Sequence, residues 1–123
     1  MKHPEAAIQK HIVFMLEAKH FCFSVTNADR SWGQDGRPRP SKVRRGWPDI
    51  TGVFRGRFFG IEVKSAKGKV SELQEECHKK IVANHGYVCV AKCWEDCVRL
   101  FRKMQLDWEI RESYDDPPPR RCR

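Results

Sequence analysis

A short alternating segment, FFGIEVK at residues 58–64, constrains the fold of this chain more than any other feature. Its aromatic and β-branched residues predict a strand, and successive side chains on a strand point to opposite faces. The odd-numbered residues from 59 to 63 therefore form an apolar face that needs a core to cover it. Glu62 and Lys64 lie on the opposite face, where a carboxylate and an ammonium group stand two residues apart.

The remaining patterns predict an α/β fold. Apolar residues at helical spacing and a capping box at Ser71 and Gln74 predict helices, and short β-branched runs predict strands. The predicted elements are a helix over 4–19, a strand over 21–26, two strands within 49–64 joined by a tight turn at Arg55–Gly56, a helix from 72 to about 84, a strand over 87–91 and a helix over 94–105. The order αβββαβα predicts a central mixed sheet of about four strands flanked by helices.

The length of 123 residues suits one small domain, which we expect to span residues 1–106. Residues 107–123 are polar and nearly balanced in charge, and they are expected to form a mobile tail. No apolar run approaches the roughly 20 residues of a membrane span, and the charged start is not a signal peptide. We therefore expect a cytoplasmic protein without membrane contact.

Positive charge is concentrated in a long segment that is rich in Gly, Pro and Arg and lacks periodicity. The net charge of the chain is +8, and residues 29–58 hold eight basic and three acidic residues. Such a block is typical of nucleic-acid binding, and a solvated, soluble surface is the alternative. The basic residues expected to contact DNA phosphates are Arg37, Arg39, Lys42, Arg44 and Arg45.

The predicted hairpin brings two carboxylates together. Antiparallel neighbours lie about 5 Å apart, so Asp49 and Glu62 meet at one end of the hairpin. Two close carboxylates repel each other unless a cation lies between them, and Mg²⁺ favours such oxygen ligands. The carbonyl group of Val63 is a further ligand, and Lys64 is placed to hold or deprotonate the attacking water. A salt-bridged surface hairpin is the alternative, and the upstream Pro48–Asp49 with its basic loop favours the metal site.

Several short motifs occur in a defined order along the chain. They are Glu5, Gly46–Trp47–Pro48–Asp49, Glu62–Val63–Lys64, Gly68, Ser71–Glu72–Leu73–Gln74 and Gly86–Tyr87. This set resembles the PD-(D/E)xK nuclease superfamily, and more narrowly its stand-alone VRR-Nuc (virus-type replication-repair nuclease) domain. The likeness covers about residues 4–103.

The resemblance implies roles for individual residues. Asp49, Glu62 and Glu5 would bind the metal, Lys64 would be catalytic, and Gln74 would support the site. Glu5 shares the apolar face of its helix, although complementing the helix dipole is an alternative role for a first-turn acid. The family often has an aromatic residue four positions after the glutamine, where this chain has His78, so a DNA contact by that position is in doubt.

The resemblance further implies a Mg²⁺-dependent, structure-selective DNA endonuclease that cuts four-way (Holliday) junctions as a homodimer, with Mn²⁺ able to replace Mg²⁺. It is compatible with a phage-encoded enzyme acting in a bacterial host. A nicking or restriction-like nuclease without junction preference and an inactive DNA-binding module are the alternatives. No small-molecule cofactor is expected beyond the metal. Transcription-factor and RNA-binding classes are disfavoured because their motifs are absent.

The tryptophans and the cysteines lead to two further hypotheses, one about contacts with DNA and a partner chain and one about metal binding. Trp47 precedes Asp49 and is expected to contact bases, while Trp32 is expected to anchor a partner chain. The six cysteines are expected to be free thiols, and most simply buried apolar residues. A zinc site is the weaker alternative for the group Cys77, His78, His85, Cys89, Cys93 and Cys97, because it lacks the C-x-x-C pairs of structural zinc sites.

Overall fold

A computed structural model describes residues 4–26, 31–32, 38–39 and 43–114, with the backbone alone at 31–32, 38–39 and 114. These residues form a mixed α/β fold with a mixed sheet of four strands and three helices, which confirms the coarse fold class. The elements are α1 (Pro4–Ala18), β1 (Cys22–Val25), β2 (Ser31–Trp32), β3 (Pro38–Arg39), β4 (Ile50–Phe54), β5 (Arg57–Val63), α2 (Glu72–Ala83), β6 (Tyr87–Ala91) and α3 (Trp94–Tyr114).

The sheet has the strand order β1-β4-β5-β6. β1 pairs antiparallel with β4, and β4 with β5, whereas β5 and β6 run parallel. The predicted tight turn joins β4 to β5: Arg55 and Gly56 have φ values of 51° and 76°, as a two-residue hairpin turn with left-handed central residues requires. Ile50 lies opposite Ile61, so the next pair along the hairpin is Asp49 and Glu62.

The predicted alternation of β5 is confirmed. Phe59, Ile61 and Val63 are buried on one face of the sheet, where α1 and α3 cover them. Ile12 and Leu16 from α1 are fully buried in this core. From α3 the core receives Cys97, Leu100, Phe101 and Met104.

Helix α2 packs on the opposite face of the sheet. It begins at the predicted capping box, in which the Ser71 hydroxyl accepts from the Gln74 N–H and the Gln74 side chain accepts from the Ser71 N–H. Its buried residues are Gln74, Cys77 and Ile81. Leu73 is 49% exposed, because this side chain lies one position, about 100°, around the helix from Gln74.

Two boundaries differ from the prediction. β2 and β3 pair inside the predicted loop, where strands of two residues are too short to produce a detectable periodicity. The predicted end of α3 near Gln105 is wrong, because the helix continues to Tyr114. Gln105, the last residue of the predicted helix, accepts a hydrogen bond from Arg55, and in the added turns the Trp108 ring lies 4.8 Å from the Arg55 guanidinium, so α3 holds the β4–β5 turn in place.

The rest of the predicted tail, residues 115–123, lies outside the described residues, and the predicted domain limit at residue 106 stays a prediction. Among the helices of the described chain, none is both long enough and apolar enough to cross a membrane.

Candidate active site

The segment before β4 places Asp49 at the end of the sheet. Thr26, which follows β1, donates its N–H to the Asp49 carbonyl at 2.8 Å and its hydroxyl to the Pro48 carbonyl. Pro48 is buried against β5, where a Cβ on Gly60 would lie 2.7 Å from its Cγ atom. These contacts fix the backbone of Asp49, so its carboxylate has a defined direction.

The Asp49 carboxylate faces the end of β5. Its Oδ2 accepts from the Val63 N–H at 2.8 Å. Burial raises the pKa of Asp49 to about 7, and the hydrogen bond and negative charge of Glu62 add to that rise. The Val63 N–H and the positive charge of Lys64 oppose the rise. The two predicted metal ligands are therefore neighbours whose negative charges repel each other.

Glu62 is only 1% exposed, and α2 supplies its hydrogen-bond partners. Gln74 donates from Nε2 to Glu62 Oε2 at 3.2 Å, and His78 Nε2 lies 3.2 Å from Oε1. The other end of the Gln74 amide accepts from the Ser71 N–H at 2.9 Å. Gln74 thus caps its helix and orients Glu62 at the same time, so its two predicted roles do not compete.

His78 is the site residue that sequence reasoning missed. Burial and the charge of Lys64 lower the pKa of His78, so the neutral ring meets Glu62 and its Nε2–H tautomer can donate. Residues Gln74 and His78 are four apart and share one face of α2. The four-residue spacing of Gln74 and His78 on α2, together with the carboxylate of Glu62 on β5, is the sequence signal that could have identified His78 as a site residue.

Lys64 lies one residue beyond β5 and is half-buried. Its N–H donates to the Ala91 carbonyl at 3.0 Å, so the parallel pairing with β6 fixes its backbone. Its positive charge lowers the pKa values of both Asp49 and His78. The structure thus brings together the acid pair and the lysine that the sequence predicted.

Glu5 lies beside the loop that follows Lys64 and does not join the acid pair through any contact of the described residues. Its Oε1 accepts from the Ser65 N–H at 3.5 Å, a long hydrogen bond. A Cβ on Gly68 would lie 3.1 Å from the same oxygen. The contribution of Glu5 to metal binding stays a prediction.

The donor set at the sheet end fits Mg²⁺ rather than zinc. Across the described ranges, no group of three or more His, Cys, Asp and Glu side chains could hold a metal ion, so the six-residue zinc hypothesis is wrong. Mg²⁺ needs fewer protein ligands, because it binds one or two carboxylates and keeps waters or takes substrate phosphates. Asp49 and Glu62 provide two hard oxygen ligands, and their mutual repulsion favours a cation between them.

The predicted DNA-binding residues are only partly described. Arg44 and Arg45 are exposed beside an open cavity of about 460 Å³, and Trp47 packs on Phe58 with ring centres 5.6 Å apart. Arg37 and Lys42 lie outside the described residues, and the side chains of Arg39 and Trp32 do too.

Comparison with family models, with curated proteins and with solved structures finds no match for this chain. The family resemblance of the Pro48–Asp49 and Glu62–Val63–Lys64 motifs therefore stays a prediction.

Proposed function

We propose that the protein is a Mg²⁺-dependent DNA endonuclease that hydrolyses phosphodiester bonds. One observation carries the proposal: Asp49 and Glu62 lie side by side at the end of β5, and the positive charge of Lys64 acts on Asp49. A structural role for Glu62 would explain its contacts to Gln74 and His78, but it gives no reason for a second carboxylate next to a buried one.

The side chains of Asp49 and Glu62 and the carbonyl group of Val63 would hold Mg²⁺, or Mn²⁺ in its place. Bound there, the ion would neutralise charge on the phosphate and lower the pKa of a bound water. Gln74 and His78 each bond a different oxygen of Glu62, so α2 fixes the orientation of this carboxylate beside Asp49.

Lys64 acts on the reacting groups in the proposal. Its ammonium group holds the attacking water and stabilises the negative charge that develops on the phosphate. The backbone bond to Ala91 keeps this residue in register with β6, so the side chain leaves the strand next to Glu62.

The substrate preference and the assembly rest on the resemblance alone. A four-way junction has two-fold symmetry and needs two cuts, which a symmetric homodimer would supply with two identical sites. Sedimentation at micromolar concentration, with and without junction DNA, tests this part. A dimer in either state supports paired cutting, whereas a monomer near 14.4 kDa in both leaves a nuclease that nicks one strand.

A panel of labelled linear duplex, flap, fork and four-way junction, incubated with Mg²⁺ or with EDTA, tests the proposed function. We expect cleavage in Mg²⁺, none in EDTA, and the fastest cutting on the junction. Equal cutting of all four substrates would favour the nicking or restriction-like alternative. Binding without cleavage in either Mg²⁺ or Mn²⁺ would overturn the enzyme proposal in favour of an inactive DNA-binding module.

A further inference from the structure

An open cavity lies on the same side of the sheet as the acid pair but further along β5. It is enclosed by α2, by the β4–β5 turn and by the backbone from Arg44 to Trp47. Its volume of about 460 Å³ falls within the roughly 300–1,000 Å³ of pockets that bind small ligands. We name it the Trp47 cavity.

The walls of the Trp47 cavity are apolar and aromatic. The rings of Trp47 and Phe58 are tilted by 56° and both are half-buried, so part of each ring faces the opening. Ile81 is buried at the base, and the exposed Leu73 stands at one side. A flat aromatic ligand would gain stacking contacts here, as nucleobases do on protein aromatic side chains.

The rim of the Trp47 cavity is cationic. Arg44, Arg45 and Lys80 are exposed and Arg57 is half-buried, and among the residues that the structure describes Glu76 is the one carboxylate that lines the cavity. Within the described part of the chain, no carboxylate lies within ion-pair distance of these four cations. A nucleobase could stack on the aromatic wall inside the cavity. Its flanking phosphates would then lie outside the cavity, where the guanidinium groups of the rim could contact them.

The walls are held in place by the fold. Gly46 has a φ of +87°, and a Cβ there would lie 2.5 Å from the Leu73 carbonyl oxygen, so only glycine lets this loop approach α2 so closely. On the other side, the contacts of Arg55 with Gln105 and Trp108 fasten the β4–β5 turn to α3. The cavity is therefore a formed feature, with both of its flanking loops anchored.

The Trp47 cavity lies close to the acid pair. Trp47 is two residues before Asp49, and Phe58 is four residues before Glu62 on the same face of β5, which corresponds to about 13 Å along the strand. Phosphates on one strand of duplex DNA are about 3.4 Å apart along the axis. A base in the cavity would therefore belong to a nucleotide within about four positions of the phosphate at the acid pair.

We propose that the Trp47 cavity receives one unpaired base of the DNA substrate, within about four nucleotides of the phosphate that is cut. The inference rests on the proposed nuclease function and adds a substrate requirement to it. A fully paired duplex must first unstack a base at a free-energy cost, whereas a base that is already unpaired enters without that cost. The protein would therefore prefer DNA with an unpaired base close to the cut.

Binding in EDTA tests the proposal without cleavage. The probes are a duplex, the same duplex with one unpaired 2-aminopurine, and a version in which that position is abasic. We expect the unpaired base to raise affinity by roughly 5- to 150-fold over the duplex, the range of one stacked base, and the abasic version to lose that gain. The fluorescence of 2-aminopurine should fall on binding because the base stacks.

Three variants separate stacking from charge. Trp47→Leu should lose the preference for the unpaired base, and Trp47→Phe should keep most of it, because phenylalanine retains a ring. Arg45→Ala should weaken the binding of all three probes equally, since a phosphate contact carries no base information. Melting curves establish whether each variant is folded. If Trp47→Leu does not fold, the comparison of Trp47→Phe with the wild type still tests the inference.

The outcomes separate this inference from the proposed function. Equal affinity for all three probes, or an unchanged preference in Trp47→Leu, overturns the base-binding cavity, while Mg²⁺-dependent cleavage by the wild type would still support the nuclease. A base preference without any cleavage supports the cavity and overturns the nuclease. Absence of binding to every probe in EDTA overturns the base-binding cavity, and cleavage in Mg²⁺ then decides the nuclease separately.

Discussion

Helices cover both faces of the central sheet, but one face is apolar and the other buries polar residues. The face under α1 and α3 is apolar, with Phe59, Ile61 and Val63 at most 2% exposed. The face under α2 buries Glu62 and Gln74, and it leaves an open cavity beside them. Adjacent residues of one strand therefore contribute to the apolar core on one side and to the proposed catalytic site on the other.

The comparison shows how a small domain can hold a buried charge. The apolar face supplies most of the area removed from water, which stabilises the fold. The polar face can then keep Asp49 and Glu62 together, although burial and the neighbouring Glu62 raise the pKa of Asp49 to about 7 and so oppose folding at neutral pH. Substitutions on the two faces should therefore have opposite consequences for stability and activity.

The largest expected effect is kinetic and lies on the polar face. Lys64→Ala should lower the cleavage rate by roughly two to four decades, because it removes the group that holds the water and stabilises the developing charge. Mn²⁺ binding, measured by calorimetry, should survive, since Lys64 is not a ligand. Lys79→Ala, on the exposed side of α2, is the control and should cut normally. Parallel loss of metal binding in Lys64→Ala would show a structural role instead.

The next prediction compares the same change on neighbouring residues of β5. Phe59→Ala should lower the free energy of unfolding by about 3–5 kcal/mol, because Phe59 is fully buried in the core. Phe58→Ala should cost clearly less, since Phe58 is half-buried beside the open cavity. Urea unfolding of both variants measures the difference. Equal losses would mean that the two faces contribute alike to stability.

A smaller effect of opposite sign is expected from the acid pair. Asp49→Asn should stabilise the metal-free protein at pH 8 by about 1 kcal/mol, because it removes one of two adjacent negative charges while keeping an acceptor for the Val63 N–H. For a chain of this size, that is a rise of roughly 3–5 °C in Tm. Adding Mg²⁺ should raise the Tm of the wild type and not of the variant.

Glu95→Gln, in the exposed first turn of α3, is the control for Asp49→Asn and should change stability by less than about 0.5 kcal/mol. A destabilised Asp49→Asn variant, or equal Mg²⁺ stabilisation of variant and wild type, would contradict the assignment of Asp49 as a metal ligand.

The weakest effect concerns the basic rim. Replacing Arg44 and Arg45 with Ala should reduce the dependence of DNA binding on salt concentration by about one unit of slope for each lost phosphate contact. Binding should weaken alike on all sequences. Arg102→Ala with Lys103→Ala, on the exposed side of α3, should leave the slope unchanged. A loss confined to one DNA sequence would assign these arginines to base contacts.

The sequence predicted the features that depend on local periodicity and short motifs. The alternation of β5, the turn at Arg55–Gly56 and the capping box at Ser71 all follow from side-chain pattern or turn chemistry. The meeting of Asp49 with Glu62 followed as well, because an antiparallel hairpin with a tight turn fixes which residues oppose each other.

What the sequence did not predict depends on contacts between distant segments. Contacts with the distant Arg55 support the C-terminal part of α3. Leu106 and Ile110 are exposed, so these apolar residues do not extend the buried stripe that predicts the helix. His78 contacts Glu62 because α2 packs over β5, and the local sequence pattern does not specify that packing. The Trp47 cavity likewise requires α2, the turn and the preceding loop to come together.

The central claim is that the acid pair at the end of β5 cleaves DNA with a divalent metal. The most direct measurement is the rate at which wild type and Glu62→Gln cut the same labelled four-way junction in Mg²⁺, with circular dichroism to establish that both are folded. We predict Mg²⁺-dependent cleavage by the wild type and a rate at background for the variant. Cutting by Glu62→Gln at the wild-type rate would contradict the account.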